Sequence, residues 1–296
     1  MTATGAPTGT PLEVRDPSAC FRLRELLVWL PLGALLWFPA AGLLLGWHRL
    51  AMREDGLVLA AAWFYLTVLA WMLATLRRER LSLLDLLGPL PRGPQWLDVV
   101  VLPLLHLGFS GALMLCFVSM LARWRPSQLA HWMRGNGGLD LGHTGVVGSL
   151  LVIAVLAPLV EELVFRGILL HRAARRFGVV RGLLATALLF GVLHINPVGL
   201  FAFGLLLGAT ALQTRSLWLT TFAHMVNNAV PLLMILSSRG APHGPEVFPT
   251  EGFAQALPAT AALALAMAVS IGLTLRLRWP SATGISSITL APTDTT

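Results

Sequence analysis

The sequence predicts an all-α fold, a polytopic membrane helical bundle of about eight transmembrane helices. Three observations lead there. Of the 296 residues, 56% are hydrophobic and only 12% are charged, against about 25% charged in a typical soluble domain. Mean hydropathy is +0.74. Apolar runs also recur along the whole chain at the ~20-residue length that a ~30 Å hydrocarbon core demands. This composition excludes a soluble enzyme, a disordered chain and a nucleic-acid binder. The net charge of +7 agrees, because all 21 basic residues are Arg and they stand between apolar runs. Such charges orient membrane loops.

The elements follow in order. Residues 1–24 are expected as a flexible cytoplasmic tail, since they hold Thr, Pro and Gly and lack the apolar run of a secretory signal. Arg22 and Arg24 then precede the first span, expected over residues 26–47. Spans at 57–76 and 97–122 complete an N-terminal group of helices within residues 25–144. The fourth span, 145–170, carries two glutamates. The fifth and sixth, 179–195 and 198–213, are short and divided by Asn196-Pro197. A seventh at 216–236 follows. Residues 237–256 are Gly- and Pro-rich at their start and read as a loop. The last span, 257–275, lies within residues 257–279, and 280–296 form a polar tail. With eight spans, fifteen of the arginines fall on the side of the two termini, which predicts that both are cytoplasmic. Cys20 and Cys116 have no patterned spacing and read as small apolar fillers.

Ionisable side chains at the bilayer centre cost about 2.5–3.5 kcal/mol each on insertion scales and need a reason. Of fourteen acidic residues, twelve fall in loops, tails or span ends, and the adjacent pair Glu161-Glu162 lies inside the fourth span. Glu162 and Arg166 are i,i+4 on a helix and share a face. Glu161 points about 100° away, so one carboxylate is neutralised while its neighbour stays free. His224 and Asn228 are likewise i,i+4, and both can donate hydrogen bonds, as an oxyanion hole requires. At 1.5 Å rise per residue, Glu161, His194 and His224 sit ~16, ~21 and ~12 Å from the cytoplasmic edge, close enough to meet in one layer. His106 has no partner motif and reads as a core histidine.

These residues resemble the CAAX protease and bacteriocin-processing family of intramembrane peptidases, also called the Abi family. Its three motifs stand here as Glu161-Glu162-Leu163-Val164-Phe165-Arg166, Phe190-Gly191-Val192-Leu193-His194 and His224-Met225-Val226-Asn227-Asn228. Phe165-Arg166-Gly167, the Gly204–Gly208 stretch and Ser216-Leu217-Trp218 also match. The resemblance covers about residues 145–236, which makes that segment the expected catalytic core. It implies that Glu161 is the general base for a water shared with His194, and that His224 and Asn228 stabilise the oxyanion. Glu162, Arg166 and Phe190 would shape and neutralise the site. The choice of Glu161 over Glu162 as base rests on the resemblance, and the register of Arg166 with Glu162 agrees with it.

The expected activity is therefore intramembrane endopeptidase action without a cofactor, on a peptide or protein substrate reached from the lipid bilayer. Lipidated tails and leader peptides both fit, and nucleic acid is no partner. A zinc-dependent version would use Glu161, His194 and His224 as ligands with water in fourth place, although the chain has no H-E-x-x-H. A non-catalytic immunity or peptide-binding protein would use the same pocket as a receptor. A proton-coupled transporter would need a second half with matching polar breaks, and the first three spans hold no counterpart of the Glu pair. The expected location is the cytoplasmic membrane of a bacterium.

Overall fold

A computed structural model describes residues 17–45, 53–135, 145–237 and 250–279. Most of the expected N-terminal tail, part of the 237–256 loop and the polar tail 280–296 lie outside the described residues. Among the described residues helices form within each expected span, and there is no β-strand. They are α1 (Leu26–Leu45), α2 (Arg53–Arg78), the short α3 (Leu83–Leu87), α4 (Asp98–Trp124), α5 (Pro126–Gly135), the long α6 (residues 145–177), α7 (Val179–Val192), α8 (Pro197–Thr214), α9 (Leu217–Ser237), α10 (Thr250–Gln255) and α11 (Leu257–Arg278). Among the described residues, five stretches have the length and apolar composition to cross a membrane: Val58–Arg78, Gly93–Trp124, Val147–Phe177, Pro197–Thr214 and Leu257–Arg278. The fold is thus a helical membrane bundle.

Several details differ from the reading of the sequence, among them the short helices α5, between two expected spans, and α10, at Thr250–Gln255 inside the expected 237–256 loop. Helix α3 forms where a loop was expected, because Ser82 and Asp85 cap it reciprocally: Ser82 Oγ accepts from the Asp85 amide at 3.1 Å and Asp85 accepts from the Ser82 amide at 2.6 Å. Its Leu86 and Leu87 are buried. Helix α6 continues past residue 170 through Arg172, Arg175 and Arg176 to Phe177, and stops where Gly178 takes φ +85°. Helix α7 ends at Val192 instead of 195, and Asn196-Pro197 opens α8 as N-cap and first helical residue, with Asn196 Oδ1 accepting from the Gly199 amide at 3.1 Å.

Two apolar clusters pack against α6. Phe21, Trp71, Met72, Val160, Leu163 and Ile168 belong to one. Phe165, Phe190, Phe203, Leu206 and Ala223 belong to the other. Helices α7 and α8 form a tight hairpin. A Cβ at Gly204 would stand 3.0 Å from Ala187 Cα, so glycine there lets the two backbones approach. The turn of this hairpin carries His194.

Candidate active site

Helix α6 is wound unevenly around the Glu pair. Leu150–Leu156 and Leu163–Leu170 are π-helical, and Ala157–Glu162 between them is α-helical. The first π stretch ends just before Pro158. Proline carries no N–H, so it cannot bond the carbonyl five residues back, that of Ile153. The Ala157 amide instead bonds Val152 O. The Ile153 carbonyl accepts from Asn228 Nδ2 at 3.0 Å, which ties α9 to α6. Local π windings of this kind are frequent at functional sites.

Glu161 and Glu162 have different partners, as their positions on a helix require. Glu162 is fully buried, and its Oε1 accepts from Arg166 Nη1 at 2.7 Å and from His224 Nδ1 at 2.8 Å. The Arg166 guanidinium carbon stands 4.5 Å above the Phe190 ring centroid, a cation–π contact. Glu161 is 12% exposed and turns the other way. Its Oε2 lies 3.8 Å from His194 Nε2 and 3.7 Å from His224 Nε2. Among the described residues this oxygen is buried without a hydrogen-bond partner. Its Oε1 accepts from the hydroxyl of Tyr65 on α2.

Both imidazoles are fixed through their other nitrogen. His194 Nδ1 donates to the Phe190 carbonyl at 2.6 Å, which leaves Nε2 as an acceptor facing Glu161. His224 Nδ1 faces Glu162, so the carboxylate favours a proton there. Phe190 touches both rings, at centroid distances of 4.6 Å to His194 and 5.7 Å to His224. Phe203 closes the other side of His224 at 5.4 Å. The site is thus polar at its centre and walled by aromatic rings.

The structure brings Glu161, Glu162, Arg166, Phe190, His194 and His224 together. Asn228 stands one turn beyond His224 and gives one amide hydrogen to Ile153 O, while its Oδ1 accepts from Asn227 Nδ2 at 3.2 Å. Two residues with no predicted role join here. Tyr65 is one. The other is His106, whose Nδ1 bonds Asn227 Oδ1 at 2.6 Å and whose Nε2 meets Ser110 Oγ at 2.9 Å. A directed chain therefore runs from Ser110 through His106, Asn227 and Asn228 to Ile153. No short-range spacing links α2 or α4 to the motifs. The signal available was a polar side chain inside an apolar helix. Among the described residues no group of three or more His, Cys, Asp and Glu side chains is arranged to hold a metal ion.

Residues 143–230 match the family model described as Rce1-like, type II CAAX prenyl endopeptidase Rce1-like. No curated protein and no solved structure matches the chain. The matched segment contains all three motifs and every residue placed in the site from the sequence. Tyr65 and His106 lie outside it. The matching family is one of endopeptidases, which agrees with the resemblance carried by the motifs.

Proposed function

We propose that the protein is a glutamic intramembrane endopeptidase that hydrolyses a peptide bond near the membrane surface. One observation carries this reading: Oε2 of Glu161, buried and without a partner, faces the Nε2 atoms of two oriented histidines at 3.7 and 3.8 Å. Those separations are too long for direct hydrogen bonds, and a polar contact of that length calls for a bridging water. A water about 2.8 Å from both Glu161 Oε2 and His194 Nε2 gives each a hydrogen and keeps a lone pair for a carbonyl carbon.

The steps balance. Glu161 takes a proton from the water as its oxygen adds to the peptide carbonyl. The carbonyl oxygen gains negative charge, and His224 answers it. With Glu162 bonded to Nδ1, this ring can hold a second proton on Nε2 and donate it as a hydrogen bond. Asn228 has one amide hydrogen beyond the one given to Ile153, which suits a second donor. Collapse breaks the C–N bond, and the proton on Glu161 passes to the leaving nitrogen. A new carboxyl group and a new amine result, and Glu161 is again ionised. Arg166 compensates the second carboxylate, so the site does not hold two free negative charges side by side.

The substrate is a peptide or protein segment reached from the bilayer. A lipidated C-terminal tail of the kind named for the matching family is one class, and a leader peptide is another. The arginine distribution supports cytoplasmic termini, and the proposed location is a bacterial inner membrane. The reaction is proposed to need no metal. A zinc-dependent version would use the same Glu161, His194 and His224, and fixing an imidazole through its second nitrogen suits that chemistry too. Purified protein assayed in proteoliposomes separates the readings. Activity that survives a chelator, with far less than one equivalent of zinc bound, is expected. Stoichiometric zinc with chelator-sensitive activity would replace it by the metal version. Full biological activity in Glu161→Ala and His194→Ala would instead favour a non-catalytic receptor.

A further inference from the structure

Tyr65 is the one tyrosine in the chain, and it sits in the middle of α2, outside the segment that matches the family model. A phenol at that depth needs a partner for its hydroxyl, because hydrocarbon offers none. The partner is Glu161 Oε1, on a helix 96 residues away in sequence. The Tyr65 ring is held from its own helix by an edge contact with Phe64, at 5.3 Å between centroids.

This contact solves a problem that the matched segment leaves open. The two oxygens of a carboxylate are equivalent, and rotation about the terminal torsion is broad and roughly two-fold. Arg166 and His224 Nδ1 both go to Glu162, so neither fixes Glu161. Without a third donor, Glu161 is free to turn away from the two imidazoles. With Tyr65 on Oε1, the other oxygen is presented to both Nε2 atoms. We infer that Tyr65 is a positioning residue of this site, whose hydroxyl selects Glu161 Oε2 as the reactive oxygen. The inference rests on the peptidase reading, and it makes α2 part of the active site.

The single tyrosine permits a test that needs no substrate. Full-length protein labelled with 3-fluorotyrosine, in lipid nanodiscs and with a tag free of tyrosine, gives one ¹⁹F line. That line should shift in Glu161→Gln and Glu161→Ala, and hold its position in Asn228→Ala. An unchanged line in Glu161→Ala overturns the contact. The second arm uses a fluorogenic peptide with a prenylated Cys-aliphatic-aliphatic-X tail in proteoliposomes. Tyr65→Phe should lower kcat by about 10- to 100-fold, because misplacing a reacting group by ~1 Å can cost about 10²-fold. KM and the thermal midpoint should stay at the wild-type values, because the ring remains. Wild-type kcat in Tyr65→Phe overturns the positioning role. A line that responds to Glu161 in a wild type that leaves the peptide uncut supports the coupling and counts against the peptidase reading instead.

Discussion

His224 Nδ1 lies 2.8 Å from Glu162 Oε1, in full burial. This bond divides the labour between two adjacent carboxylates. Glu162 is spent on Arg166 and on one nitrogen of His224, and the other nitrogen of His224 is left for Glu161. The two glutamates should therefore fail in different ways when changed. Glu162→Gln leaves a buried Arg166 poorly compensated, and breaking a buried pair from one side costs about 3–5 kcal/mol. Loss of folded protein in detergent is the expected result. Glu161→Gln should keep a wild-type thermal midpoint and lose hydrolysis by about 10²–10⁴-fold, the scale of general base catalysis.

A second prediction concerns the chain from Ser110 to Ile153. His106→Ala removes the ring that bonds Asn227 Oδ1 and stacks on Phe203 at 4.5 Å. The unsatisfied buried amide should cost about 1–3 kcal/mol. Asn228, anchored through Asn227, should also lose its orientation. Thermal unfolding together with kcat checks this, and a stable variant with unchanged kcat would separate His106 from the site.

The turn that carries His194 depends on the close α7–α8 hairpin. A Cβ at Gly191 would stand 2.5 Å from the Pro197 carbonyl oxygen and 2.9 Å from the Phe201 amide nitrogen. Both are backbone atoms, so the helices must part. Gly191→Ala should destabilise by about 1–3 kcal/mol, as overpacking does, and should move His194 away from Glu161. Activity falling more steeply than stability is the expected signature.

Acid should loosen the N-terminal contact. Glu25 accepts from the Trp71 indole at 3.1 Å and from Arg78 at 3.3 Å. The Trp71 bond first, and the Arg78 charge after it, hold its carboxyl below the ordinary value of 4.5. A lowered folded-state value gives stability that is present above 4.5 and lost as pH falls through the folded value. Wild type should thus lose thermal stability in acid more steeply than Glu25→Gln, and parallel curves would contradict the contribution.

Much of this was legible from local spacing. The i,i+4 register of Glu162 with Arg166 predicted their pairing, and the pair meets even though Leu163–Leu170 is π-wound. Asn196-Pro197 marked the start of α8. What spacing could not reveal were contacts between distant helices. Tyr65 meets Glu161 across 96 residues and His106 meets Asn227 across 121. No periodic pattern encodes such pairings. The destination of the Asn228 amide was likewise hidden, although Pro158 marks the carbonyl it satisfies. The short α3 was missed because its Ser82–Asp85 cap precedes only five helical residues.

The central claim is that Glu161 activates water for attack on a peptide bond. Its most direct measurement is mass spectrometry of peptides incubated with the full-length protein in proteoliposomes in H₂¹⁸O. The account predicts one ¹⁸O in the new carboxyl terminus of the wild-type product, and no product above background with Glu161→Gln. Equal cleavage by the wild type and Glu161→Gln, or a wild type that cuts nothing, would contradict it.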